Sequence, residues 1–184
     1  MTRDKDGRSW QIGTDADVQW LSQGTTFGST ITSAVPRVFQ AYATVIVPAF
    51  QDGLREHEQR VIRLLAEHSP HDWWLGYLET GGSDVVFPDA PRVQLYANWS
   101  YVLVKAGPEQ ALRWRAEPSP LHCDLPDLMF PADRSWLISA LWDDDWWCLG
   151  GSTKLVDAFL REPGLEARRV DPDDNATPPG HVAR

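Results

Sequence analysis

The sequence predicts a single α+β domain, a mainly antiparallel sheet with about three helices packed on it. Three observations lead there. With 184 residues, 42% of them hydrophobic and 23% charged, the chain has the size and balance of one globular unit. Such a chain buries about 70% of its unfolded surface and needs no disulfide or structural metal. One long segment carries the apolar period of a helix laid on a core. The strand-like segments come mostly in adjacent hairpin-like pairs and do not alternate strictly with helices, which favours α+β over a doubly wound sheet.

The elements follow in order. Residues 1–30 mix Asp, Gly, Ser and Thr with isolated anchors at Trp10, Ile12, Val18, Trp20, Leu21 and Phe27, a pattern suited to short strands and turns. Ser33 before Pro36 suits the start of a short helix through Ala43. Thr44 to Val47 reads as a β-branched strand stopped by Pro48. The clearest helix runs from about Asp52 to His68, where Leu54, His57, Val61, Leu64, Leu65 and His68 share one stripe and Ile62 lies off it.

Strands are expected at Trp73–Glu79, Arg92–Ala97 and Tyr101–Lys105, with Asn98-Trp99-Ser100 as a hairpin link. Val93, Leu95 and Ala97 alternate with Arg92, Gln94 and Tyr96, the period of a sheet with one wet face. Gly107-Pro108 opens a short helix, and the segment from Glu117 to Pro131 reads as loop. Ser135–Trp142 is apolar on both faces, so this strand is central. After the acidic break Asp143-Asp144-Asp145, Trp146–Leu149 is its hairpin partner. Ser152 caps a helix through Arg161 whose stripe is Leu155, Val156, Phe159 and Leu160. Leu165–Val170 forms a last strand. Residues 1–170 therefore make the globular domain, and the Asp, Pro, Asn, Thr and Gly of residues 171–184 predict a flexible C-terminal tail.

Charge excludes several function classes. There are 26 acidic against 17 basic side chains, a formal charge of -9. No run of Lys or Arg offers phosphate backbones a favourable field, so no nucleic-acid partner is expected. No apolar stretch reaches the roughly 18 residues of a membrane span. The charged start, with Arg3, Asp4, Lys5, Asp6 and Arg8, is not a signal peptide, and a cytoplasmic location follows. Cys123 and Cys148 lie 25 positions apart without a CxxC or Cys/His cluster, so reduced thiols and no zinc site are expected. The Asn98-Trp99-Ser100 and Asn175-Ala176-Thr177 sequons are chance matches in such a compartment.

Several strings exceed what periodicity explains: Val38-Phe39-Gln40-Ala41-Tyr42-Ala43 followed by Pro48, Phe130-Pro131-Ala132-Asp133-Arg134-Ser135-Trp136, Gly150-Gly151-Ser152 with Leu155-Val156-Asp157-Ala158, and Pro163-Gly164-Leu165-Glu166-Ala167. In order and spacing they resemble an uncharacterised family of bacterial, mainly actinobacterial, hypothetical proteins over most of Ala34–Val170. That family has no assigned activity, so the resemblance transfers no catalytic residue. The mixed layout also resembles, loosely, bacterial immunity domains related to yeast cell-wall regulator proteins.

Asp143, Asp144 and Asp145 stand among Trp136, Trp142, Trp146 and Trp147. Alternate residues point the same way in an extended chain, so Asp143 and Asp145 present two carboxylates together. The readings are a solvated turn, an acidic face for a partner, and a hard-cation site lacking its further oxygen ligands. Adjacent tryptophans in a strand, Trp73-Trp74 and Trp146-Trp147, point to opposite faces, so the outer member of each meets a covering element or a ligand. His57 and His68 are about 16 Å apart along their helix, too far to share an ion. Gly150-Gly151-Ser152 with Lys154 reads as a tight strand-to-helix turn before it reads as an anion site. Cys123 beside His122 and Asp124 supplies the residue types of nucleophilic catalysis without its geometry.

No catalytic residue, metal ligand or cofactor is assigned. The expectation is a protein-binding, immunity- or antitoxin-like module that presents Asp143, Asp144, Asp145, Trp146 and Trp147 to a basic partner protein. The alternative is a small-molecule binder or hydrolase that uses the dispersed acids Glu79, Asp84 and Asp133.

Overall fold

The computed structural model describes residues 2–3, 9–48, 53–79, 87, 89–113, 125–141 and 144–182. Within them the chain is α+β with a mainly antiparallel sheet, as its pattern predicts. The strands are β1 (Thr2–Arg3), β2 (Ser9–Ile12), β3 (Ala41–Ile46), β4 (Trp73–Leu78), β5 (Val93–Leu95), β6 (Trp99–Ala106), β7 (Leu128–Pro131), β8 (Leu137–Ser139), β9 (Trp146–Gly151) and β10 (Ala167–Arg169). The helices are α1 (Asp15–Gly24), α2 (Leu54–His68), α3 (Pro108–Ala111) and α4 (Thr153–Arg161), with a 3-10 turn at Ile31–Ser33. None of them is long and apolar enough to cross a membrane.

The sheet order is β1-β2-β6-β4-β7-β8-β9-β3-β10, and β5 pairs with β6 beside this path. One edge of β6 is divided: Lys105 and Val104 face β2, while Tyr101 to Trp99 face β5. The predicted central strand is central, since β8 lies between β7 and β9 and is buried along its length.

Alternation sorts the strand residues into two cores. On the first face Ala43, Val45, Trp73, Leu75, Val102, Val104, Met129, Ile138, Trp147 and Leu149 meet Val61 and Leu65 of α2, Ala111 of α3, and Leu155, Val156 and Phe159 of α4. Trp73 anchors this side. Its indole donates to the Ser69 carbonyl at 2.6 Å and meets Trp136 edge-on at 4.9 Å. On the second face Tyr42, Trp74, Tyr101, Leu103, Leu128, Phe130, Leu137, Trp146 and Cys148 lie under Val18 and Leu21 of α1, Ile31 of the 3-10 turn, Val170 and Ala176. Covering on both sides explains why β4, β7, β8 and β9 read as nearly continuous apolar runs although their pairing is antiparallel.

Several elements depart from the sequence pattern. Helix α1 lies where strands and turns were expected, because only Val18 and Leu21 are buried, too few to trace a stripe. Its start is fixed locally by Asp17, which accepts the Thr14 backbone N–H at 2.8 Å. No helix spans Ser33–Ala43. The backbone joins β9 from Ala41, and the Tyr42 hydroxyl accepts the Phe39 N–H and donates to the Pro36 carbonyl. The loop expected up to Pro131 contains β7, held by ladders to β4 and β8. The β5–β6 turn is Tyr96-Ala97-Asn98, with Trp99 and Ser100 already in β6.

Residues 171–182, read from composition as a flexible tail, are placed against the second face. After β10 the Val170 N–H donates to the Tyr42 carbonyl, and the segment crosses the second face. The Ala176 N–H donates to the Ser29 carbonyl at 2.8 Å, and the Arg168 guanidinium holds the Asn175 and Thr177 carbonyls at 3.1 and 3.3 Å. Ala176 and Pro178 are buried. A composition argument weighs side chains alone, whereas this placement rests largely on backbone hydrogen bonds.

Candidate functional site

The connection from β8 to β9 carries the acids singled out in the sequence. Asp143 lies outside the described residues. The Asp144 N–H donates to the Leu141 carbonyl, and the Asp145 carbonyl accepts the Val47 N–H at 2.8 Å, which pins the connection to the end of β3. Asp144 is half-buried. The Asp145 carboxylate points outward with 54% of its side chain exposed.

The two tryptophans that follow are not at the surface, which corrects the expected aromatic contact area. Strand alternation sends Trp147 into the first core and Trp146 into the second, each less than 5% exposed. The outer member of the pair is covered, and part of its cover is the C-terminal segment. His181 stands edge-on to Trp146 at 6.1 Å, with its Nδ1 2.8 Å from Oδ1 of Asp145. Sequence reading missed His181, which lies 36 positions from Asp145 behind a stretch with no period to place it.

Beneath this connection lies a polar cluster that sequence reading also missed. Tyr96 is held at a φ of 53°, left-handed backbone that a bulky side chain rarely adopts. This aims its hydroxyl into the second core, where it donates to the Ala34 carbonyl at 3.2 Å and contacts Ser139 Oγ at 2.8 Å. A phenol has one proton to give, so Ser139 donates in the second contact. Tyr101 packs against Tyr96, and its buried hydroxyl has no hydrogen-bond partner among the described residues.

The electrostatics of these groups are quiet. Burial pushes the Cys148 thiol up to about 12, with the nearby Asp144 charge adding to it. Burial likewise holds the Tyr96 and Tyr101 phenols well above their ordinary range, with Asp127 contributing at Tyr101. On the first face burial, helped by Arg60, lowers His57 to about 4. At neutral pH all four are uncharged, so none of them is a thiolate, phenolate or imidazolium ready to react.

Among the described residues the other sequence candidates do not converge. Glu79 pairs with Arg92 at 2.7 Å just beyond the end of β4. Asp133 caps a turn by accepting the Ser135 N–H, next to Pro131, which faces the opposite end of β4 at Trp73. About 17 Å of strand separates the two ends. Asp84, His122, Cys123 and Asp124 lie outside the described residues. At Gly150 an added Cβ would stand 2.4 Å from Phe39 and 2.5 Å from Val35, so close packing requires glycine there. The following helix N-terminus is satisfied internally, since Ser152 Oγ accepts the Leu155 N–H and Gln40 accepts that of Thr153. Among the described residues no group of three or more His, Cys, Asp or Glu side chains is placed to hold a metal ion. No protein-family model, curated protein or solved structure matches the chain.

Proposed function

We propose that this protein works by binding a basic partner protein in the cytoplasm through the β8–β9 connection, as an immunity- or antitoxin-like module of the bacterial family it resembles. One observation carries the reading. The Asp145 carboxylate faces outward from a connection pinned to the sheet, and a nitrogen donor already stands on it at 2.8 Å. A rigidly held, half-exposed carboxylate suits a lysine or arginine from another chain. The -9 charge speeds encounter with such a partner. The neutral state of Tyr96, Tyr101, Cys148 and His57 supports binding over chemistry at those groups.

The test is affinity capture from native lysate at low and high salt, with wild type beside Asp144→Asn/Asp145→Asn. A stoichiometric basic partner that salt releases and the double variant fails to retain is the expected result. The proposal falls if no stoichiometric partner is captured, or if the double variant retains it fully. A melting temperature raised by a cation, nucleotide or sugar would favour the small-molecule alternative.

A further inference from the structure

We infer that residues 171–182 are an intramolecular strap that occupies the partner's place, with His181 standing in for the partner's basic side chain. This inference rests on the reading of the β8–β9 connection as a binding site and adds its regulation.

The course of the strap comes first. It leaves the sheet beside Tyr42, where the Val170 N–H is bound, and reaches Asp145 and Trp146, which lie level with Ile46 and Val47. It therefore runs along β3 and β9 over the second face. Its acids Asp171, Asp173 and Asp174 stay exposed, while its imidazole is turned onto the carboxylate of Asp145 and the edge of the Trp146 indole. An oxygen anion beside an indole is a pairing that accepts a cationic side chain by ion pair and cation–π contact together.

How the strap is held points to release. Its buried side chains are Ala176 and Pro178, both small. Its remaining anchors are polar: the Arg168 bonds to carbonyls, the Ser29–Ala176 hydrogen bond with its bridge from Thr30 to Asn175, the exposed Arg37–Asp173 pair, and His181 on Asp145. A segment with little apolar burial and hydrogen bonds that are in part exposed opens at lower cost than elements such as β3 and β9. Once it lifts, the Asp145 carboxylate and the Trp146 edge are uncovered together, and the acidic, aromatic surface read from the sequence is formed.

The experiment measures binding of a fluorescein-labelled (Arg-Gly)4 peptide by anisotropy to the full chain and to His181→Ala, Asp145→Asn and the control Asp89→Asn, an exposed acid in the turn ahead of β5. Loss of an internal competitor raises apparent affinity, so His181→Ala should bind about threefold tighter than wild type. Asp145→Asn should bind more weakly and Asp89→Asn should match wild type. In wild type the peptide should also speed amide exchange at residues 175–177. Equal binding by His181→Ala and wild type, with Asp145→Asn still impaired, would overturn the strap and leave the binding site standing. Asp145→Asn binding like wild type would overturn both, and slower exchange at 175–177 on adding peptide would overturn the strap alone.

Discussion

The two faces of the sheet are both buried and are built differently. The first is closed by α2 and α4, whose stripes meet an apolar core, and the buried histidine of α2, His57, is neutralised by its surroundings. The second is closed by short α1, a 3-10 turn and the strap, and it holds the hydroxyls of Tyr96, Ser139 and Tyr101 among apolar side chains. Regular helices close a face by side-chain burial. Irregular segments close one by tying individual backbone groups, and ties of that kind can be undone one at a time. The difference places stability on the first face and leaves the second able to open.

The largest effect should come from the first face. Trp73→Ala removes a fully buried indole together with its bond to Ser69 and its contact with Trp136, and should cost about 3–5 kcal/mol in urea unfolding. A loss under about 1 kcal/mol would show that this face is not the principal core.

The next effect is a pH dependence set by His57. In the unfolded chain its imidazole takes a proton at the ordinary value near 6.5, while in the fold it stays neutral down to about 4. The unfolded state therefore binds more protons between these values. The contribution is fully present above about 6.5 and is lost as pH falls toward 4. Wild type should lose about 2 kcal/mol from pH 7 to pH 5 through this group, and His57→Gln should flatten that part of the profile. An unchanged slope in the variant would place the proton uptake elsewhere.

A smaller effect probes the polar ties of the second face. Tyr96→Phe keeps the ring but leaves the Ala34 carbonyl and the Ser139 hydroxyl without their partner, at about 1–2 kcal/mol. Ser139→Ala should cost less in the Tyr96→Phe background than in wild type, because the two share one hydrogen bond. Strict additivity would mean that the contact contributes nothing to stability.

The same contrast decides what the sequence reveals. Helix α2 could be read because Val61, Leu64 and Leu65 repeat at helical spacing, and α4 because Ser152 announces its start and does cap Leu155. The β8–β9 pair could be read from alternation flanking an acidic break, and the same alternation correctly sends Trp146 and Trp147 to opposite sides. What covers Trp146 could not be read. The strap has no period, and several of its anchors are backbone groups that carry no sequence signal. Tyr96 and Ser139 lie 43 positions apart, and their meeting depends on a left-handed residue in a turn that the pattern placed two residues later. The site was thus half legible: the acids through their turn chemistry, the imidazole and the buried hydroxyls only through tertiary contact.

Native-state amide exchange compares the two faces most directly. The Ala176 amide, bound to Ser29, should exchange through a local opening at a rate insensitive to low denaturant, far faster than the amides of β3, β9 and α4. Protection of Ala176 equal to that of β3 and β9, lost only on global unfolding, would contradict it.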